Sequence, residues 1–108
     1  MNLKRQAAIS QHGHLAGHLR SAASGGWKFT YEPGYMGAPV SLTLPVRSEP
    51  YIFPEFPAFL EGLLPEGPQL EALLRKHKID RNDAFRQLVT VGEDMIGSLS
   101  AHELPEDT

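Results

Sequence analysis

At residue 54 the hydrophobic pattern of this chain changes period, and that change constrains the fold more than any one motif. Before it, Trp27-Lys28-Phe29-Thr30-Tyr31 alternates aromatic with polar residues, which puts three rings on one side of a predicted strand. After it, Phe56, Phe59, Leu60, Leu63 and Leu64 recur at i, i+3, i+4, i+7 and i+8. That is the apolar stripe of an amphipathic helix, with Pro57 suited to its first turn. A chain divided in this way is expected to lay helices against a sheet.

Turn residues subdivide both halves. Gln6 to Ser10 and Leu15 to Arg20 flank Gln11-His12-Gly13-His14, a hairpin signal, and alternation places Leu15, Gly17 and Leu19 on one face. Val40-Ser41-Leu42-Thr43-Leu44 alternates again and predicts a strand stopped by Pro45, with a further short strand at Tyr51-Ile52-Phe53. Pro65-Glu66-Gly67 breaks the first helix. Pro68 opens a second, with Leu70, Leu73, Leu74 and His77 on one face and an i, i+4 pair between Glu71 and Arg75.

Asp80 is expected to cap a third helix, with Asp83 at the capping-box position, Ile79 stapled to Ala84, and Phe85, Leu88 and Val89 as the buried stripe. Gly92 ends that helix, Met95 to Ala101 returns to the sheet, and residues 102–108 form a flexible acidic tail. The expected architecture is one α+β domain over residues 1–101, a mainly antiparallel sheet with three helices grouped on one side.

Composition narrows the function classes. Apolar residues make up 41% of the 108 and charged residues 21%, the usage of a folding globule rather than a disordered chain. A net charge of −3 offers no general attraction to nucleic-acid phosphates or anionic lipid. The absence of cysteine excludes disulfides and thiolate metal sites. No apolar run approaches the roughly 20 residues that span a bilayer, and the basic start is followed by a segment too short and polar for a signal peptide. The expected location is the cytoplasm.

Few constellations carry chemistry. His12, His14 and His18 invite a metal reading, but no carboxylate ligand sits nearby in sequence, and the polar face of a hairpin accounts for them better. Arg75, Lys76, His77, Lys78, Arg81 and Arg86 form the one basic cluster; cations at a helix C-terminus complement its dipole, and a weak ancillary contact to DNA is the alternative. Gly92-Glu93-Asp94-Met95-Ile96-Gly97 fits neither a Walker A loop nor a dinucleotide fingerprint, and no kinase catalytic-loop, nucleophile-elbow or zincin motif is present. Neither an enzyme activity nor a cofactor is expected. The rings of Trp27, Phe29, Tyr31 and Tyr35 read as core packing, with Trp27 beside the Gly25-Gly26 pair the exception expected at a surface.

Several segments resemble, in order, the N-terminal subdomain of HipA-like serine/threonine kinases. They are Trp27 to Tyr31, Pro39 to Pro45, Phe59-Leu60-Glu61-Gly62-Leu63-Leu64-Pro65-Glu66-Gly67, Asp83 to Leu88, and Val91 to Leu99. Gly62 stands where that family usually has asparagine. With no kinase region after it, the chain is similar to HipS, the free-standing form of this subdomain in tripartite HipB, HipS and HipT modules. The resemblance implies an antitoxin that binds and neutralises a HipT-like kinase, in a complex where a HipB-like protein supplies the contact to DNA. It implies a partner surface rather than catalytic residues, expected at Trp27 and at two turns: Leu64, Pro65, Glu66 and Gly67, and Glu93, Asp94 and Met95. A structural or DNA-binding accessory without kinase inhibition is the alternative.

Overall fold

In the computed structural model, which describes residues 5–22, 25–92 and 99–105, five strands form one antiparallel sheet. They are β1 (Gln6–Gln11), β2 (His14–Ser21), β3 (Trp27–Tyr31), β4 (Tyr51–Phe53) and β5 (Leu99–Leu104), in the order β4-β3-β2-β1-β5. Three helices, α1 (Ala58–Glu61), α2 (Gly67–His77) and α3 (Ala84–Val91), lie between β4 and β5 in the chain. The fold is α+β, as the change of period implied.

The β1–β2 hairpin turns on His12 and Gly13, both at positive φ (51° and 81°). Two such residues match the right-handed twist of the strands, and glycine takes this conformation without a Cβ clash. Three residues on, the register slips: Ile9 faces Gly17, but Ser10 faces Leu15, so Ala16 is an extra residue in β2. This bulge reverses the alternation. Leu15 is therefore exposed rather than sharing the face of Gly17 and Leu19, while Ala16 is buried. Gly17 answers a packing demand, since a Cβ there would strike the Thr30 carbonyl and the Phe29 ring.

One face of the sheet is the core. Ala7, Ile9, Leu19, Phe29, Tyr31 and Ala101 meet Leu60 of α1 and Phe85 and Leu88 of α3. Trp27 stacks on Phe85 with centroids 5.4 Å apart and meets the edge of Phe56 at 5.2 Å, while Phe59 stands edge-on to Phe29 at 5.7 Å. Gly92 closes α3 tightly over β5, where a Cβ would collide with the Ala101 carbonyl.

Several local expectations are corrected. Val40 to Leu44 is a turn rather than a strand: the Leu44 N–H bonds to the Ser41 carbonyl, and the Ser41 hydroxyl takes the Thr43 N–H. The first helix stops at Glu61, and Leu63 and Leu64 follow in tight turns bonded to Leu60 and Glu61. Gly62 propagates a helix poorly, and Pro65 disfavours helical backbone at Leu64. Along α2, Leu74 is buried while His77 is exposed.

The cap of α3 is Asp83 rather than Asp80. Asp80 instead takes the Asn82 N–H, a local turn that delays the helix, and buried Gln87 donates to the carbonyls of Asp80 and Arg81. Glu71 pairs with Arg81 at 2.5 Å, not with Arg75, because the turn after α2 brings Arg81 back against the helix. The last strand runs on through His102 to Leu104, pairing with β1 where a frayed tail was expected. The start of the expected strand at Met95 lies outside the described residues.

Candidate partner-binding surface

Between β3 and β4 the chain leaves the sheet for a segment that would be an ordinary loop but for three tyrosines. Tyr31, buried at the end of β3, donates its hydroxyl to the Leu44 carbonyl at 2.5 Å and accepts the Val40 N–H at 3.0 Å. Burial, opposed by the Val40 hydrogen bond, raises the Tyr31 phenol above its ordinary pKa, so the hydroxyl keeps its proton. Tyr35 stacks on Tyr31 and donates to the Ala38 carbonyl at 2.7 Å. Tyr51 donates to the Pro45 carbonyl at 2.6 Å and carries the Arg47 guanidinium 3.7 Å over its ring.

Val40 and Leu44 are thereby drawn into the core on either side of a turn whose apex, Leu42, is fully exposed (102%). Met36 is 95% exposed on the same segment, and Val46 is partly so. Large apolar side chains held outward on backbone pinned at both ends are preorganised for a partner: their burial would release water without a further loss of loop entropy. The Pro39-to-Pro45 pattern contained this signal in its two prolines and two hydroxyls, which favour turns. The alternation of Val40, Leu42 and Leu44 masked it by suggesting one shared face.

A second feature is a cleft of about 560 Å³ beside the start of α3, walled by Trp27, Phe56 and Phe85, with Arg5, Glu55, Asp80 and Asp83 at its rim. Arg5 holds Asp83 through two hydrogen bonds, at 2.6 and 3.0 Å, and Asp83 also accepts the Arg86 N–H. Arg86 in turn grips Glu103 of β5 at 2.7 and 2.8 Å. Partial burial pushes the Asp83 carboxyl up, but the Arg5 and Arg86 bonds outweigh it and leave its pKa below the ordinary value. The bond from Arg86 lowers Glu103 likewise, and Glu103 raises Arg86. This network ties the first strand, the third helix and the last strand together.

The residues expected at a partner surface are distributed unevenly. Trp27 forms a wall of the cleft, half-buried between Phe56 and Phe85 rather than projecting. Leu64 and Pro65 are half-buried, with Leu64 packed against the core, while Glu66 and Gly67 are exposed at the start of α2. None of these four lines the Trp27 cleft. Glu93, Asp94 and Met95 lie outside the described residues.

The basic cluster is partly consumed within the fold: among the described residues Arg81 pairs with Glu71 and Arg86 with Glu103, which leaves Arg75, Lys76, His77 and the C-cap Lys78 at the exposed end of α2. His12 sits in the hairpin turn and His18 lies 3.5 Å from Glu32; among the described residues no three His, Asp or Glu side chains converge as metal ligands.

The family model of the HipA N-terminal domain matches residues 7–102. An uncharacterized protein of Haemophilus influenzae is 31% identical over 102 residues, covering 94% of this chain and 95% of its own. A solved structure of the N-terminal domain of HipA toxin superposes with a TM-score of 0.76 at 29% identity, over 99% of both chains.

Proposed function

Because this chain belongs to the HipA N-terminal domain family, within the HipA toxin–antitoxin group, we propose that it is a non-enzymatic antitoxin that binds a HipT-like serine/threonine kinase and holds it inactive. A HipB-like protein would complete the complex and make its contact with DNA. Leu42 carries this reading. A leucine exposed in full at the apex of a turn that Tyr31 clamps to the core does nothing for the free chain, and it is suited to insertion into an apolar recess of a partner. The Haemophilus relative supports the free-standing form, since it is matched over nearly its whole length.

In mechanism, a detached subdomain restrains a kinase by redocking where a fused one would sit, and so favours a conformation whose mobile loops are unproductive. Turn residues Leu64, Pro65, Glu66 and Gly67 and the ring of Trp27 are assigned to the same docking event, as are Glu93, Asp94 and Met95. The acidic residues among them would meet basic groups that otherwise grip phosphate. No helix among the described residues is long and apolar enough to cross a membrane; the cytoplasm is the proposed location, where the kinase would be met.

The test is growth rescue. A HipT-like kinase is induced in bacteria with and without this chain, and complexes are recovered by co-purification. Rescue with a stable complex is the expected result. A complex without rescue would establish a structural or DNA-binding accessory instead, and the lack of any complex would remove the kinase as partner.

A further inference from the structure

The face of the sheet turned away from the helices carries an arrangement that the packing of the free chain does not explain. Register aligns one row across all five strands: Leu104, Gln6, Arg20, Lys28 and Ile52 stand opposite one another in turn from β5 to β4. Leu19 and Phe29, the neighbours of Arg20 and Lys28, are buried in the core, so alternation directs these two cations to the opposite, open face, where both are exposed. Ile52, beside Lys28, is 69% exposed.

Arg20 and Lys28 are thus directly opposed like charges, a pairing that destabilises a sheet. Among the described residues neither has a carboxylate partner, although the chain has 13 acidic residues against 10 Lys and Arg, and Arg5, Arg81 and Arg86 are each matched with one. The acidic group at the other end of this face, Glu32, is turned to His18.

A repulsive cationic pair bordered by an exposed isoleucine has the chemistry of half an interface. We infer that the open sheet face docks an acidic segment of the partner kinase, whose carboxylates lie between Arg20 and Lys28 and whose apolar side chain covers Ile52. This rests on the kinase-binding reading and adds a second contact area, on a different surface from the Leu42 turn. A protein fits better than a nucleic acid, because two cations on a chain of net charge −3 would neutralise few phosphates and Ile52 would gain nothing from them.

The charge geometry makes binding and stability respond in opposite directions. Arg20→Glu converts the opposed cations into a favourable cross-strand pair with Lys28, so the free protein should melt at the same or a higher temperature while the complex weakens. Association of the full-length chain with the kinase is measured by surface plasmon resonance at about 50 mM and about 300 mM salt. The expected result is a roughly tenfold loss of affinity at low salt, mostly in the association rate, with a flattened salt dependence and with Arg20→Lys binding as the native chain does.

Native-like binding by both Arg20→Glu and the double change Arg20→Glu, Lys28→Glu would overturn the inference while leaving the kinase reading intact. Failure of the native chain to bind the kinase at all would remove both. If sedimentation shows that Arg20→Glu alters self-association and not the kinase complex, the face pairs two copies of this chain and the inference falls.

Discussion

The Tyr31 hydroxyl reaches out of the core to the carbonyl of Leu44, thirteen residues along the chain, and takes the Val40 N–H on its way. One phenol thus satisfies two buried backbone groups that no strand ladder serves. Tyr31→Phe keeps the ring but leaves both groups unpaired, which should cost about 1–3 kcal/mol in urea unfolding. Amide exchange at Val40 should accelerate in the same variant, and affinity for the kinase should fall because the turn is no longer preorganised. Unchanged exchange at Val40 would show that the turn holds without the hydroxyl.

Leu42→Asp tests the apex of that turn. A fully exposed side chain has no packing to lose, so stability should stay within about 0.5 kcal/mol of native. Loss of a buried apolar anchor at an interface should cost about 2 kcal/mol or more in kinase binding, read by calorimetry. Met36→Asp should weaken binding less, since its backbone is held by the exposed Tyr35–Ala38 bond rather than by buried bonds such as those of Tyr31.

The Arg5–Asp83 and Arg86–Glu103 pairs predict the acid limb of stability. Both carboxyl pKa values are lower in the fold than in the unfolded chain. Their stabilisation is therefore complete above the unfolded carboxylate value of about 4 and disappears as pH falls through the lower folded values. Thermal melts should show the midpoint dropping below that pH. Asp83→Asn keeps a side-chain oxygen to cap the helix but loses the charge that pairs with Arg5, so it should flatten the drop and, at neutral pH, cost about 1 kcal/mol or less.

Gly17→Ala should destabilise by about 1–3 kcal/mol, because the new methyl meets the Thr30 carbonyl, which belongs to the β2–β3 ladder and has little freedom to move. Gly13→Ala meets no atom within 4 Å, and its cost should come from the strain of a φ of 81° alone. Comparing the two by chemical denaturation separates steric from conformational demand.

Much of the fold was legible in residue order. Trp27 to Tyr31, read from its alternation, and Tyr51 to Phe53 are strands with the bounds expected for them, and His12-Gly13 is the turn of the expected β1–β2 hairpin. The errors cluster where two local signals compete. Val40 to Leu44 alternates like a strand, yet Ser41 offers its own hydroxyl to the backbone, and the turn prevails once Tyr31 supplies the distant bonds. Leu15 follows the strand period that the bulge at Ala16 then reverses. The Trp27 ring, half-buried, lines an open cleft because Phe56 and Phe85, from later in the chain, pack beside it, a placement that no local pattern records.

The sequence by itself determined the class of fold, the order of its elements and the family, because period, turn chemistry and short motifs are properties of neighbouring residues. Only the tertiary structure decided which apolar residues remain outside and which like charges stand opposed. Leu42 stands out because a tyrosine at the end of β3 clamps its turn, and Arg20 opposes Lys28 because strand register aligns them. Both depend on contacts between residues distant in the chain, whose energies no local pattern records.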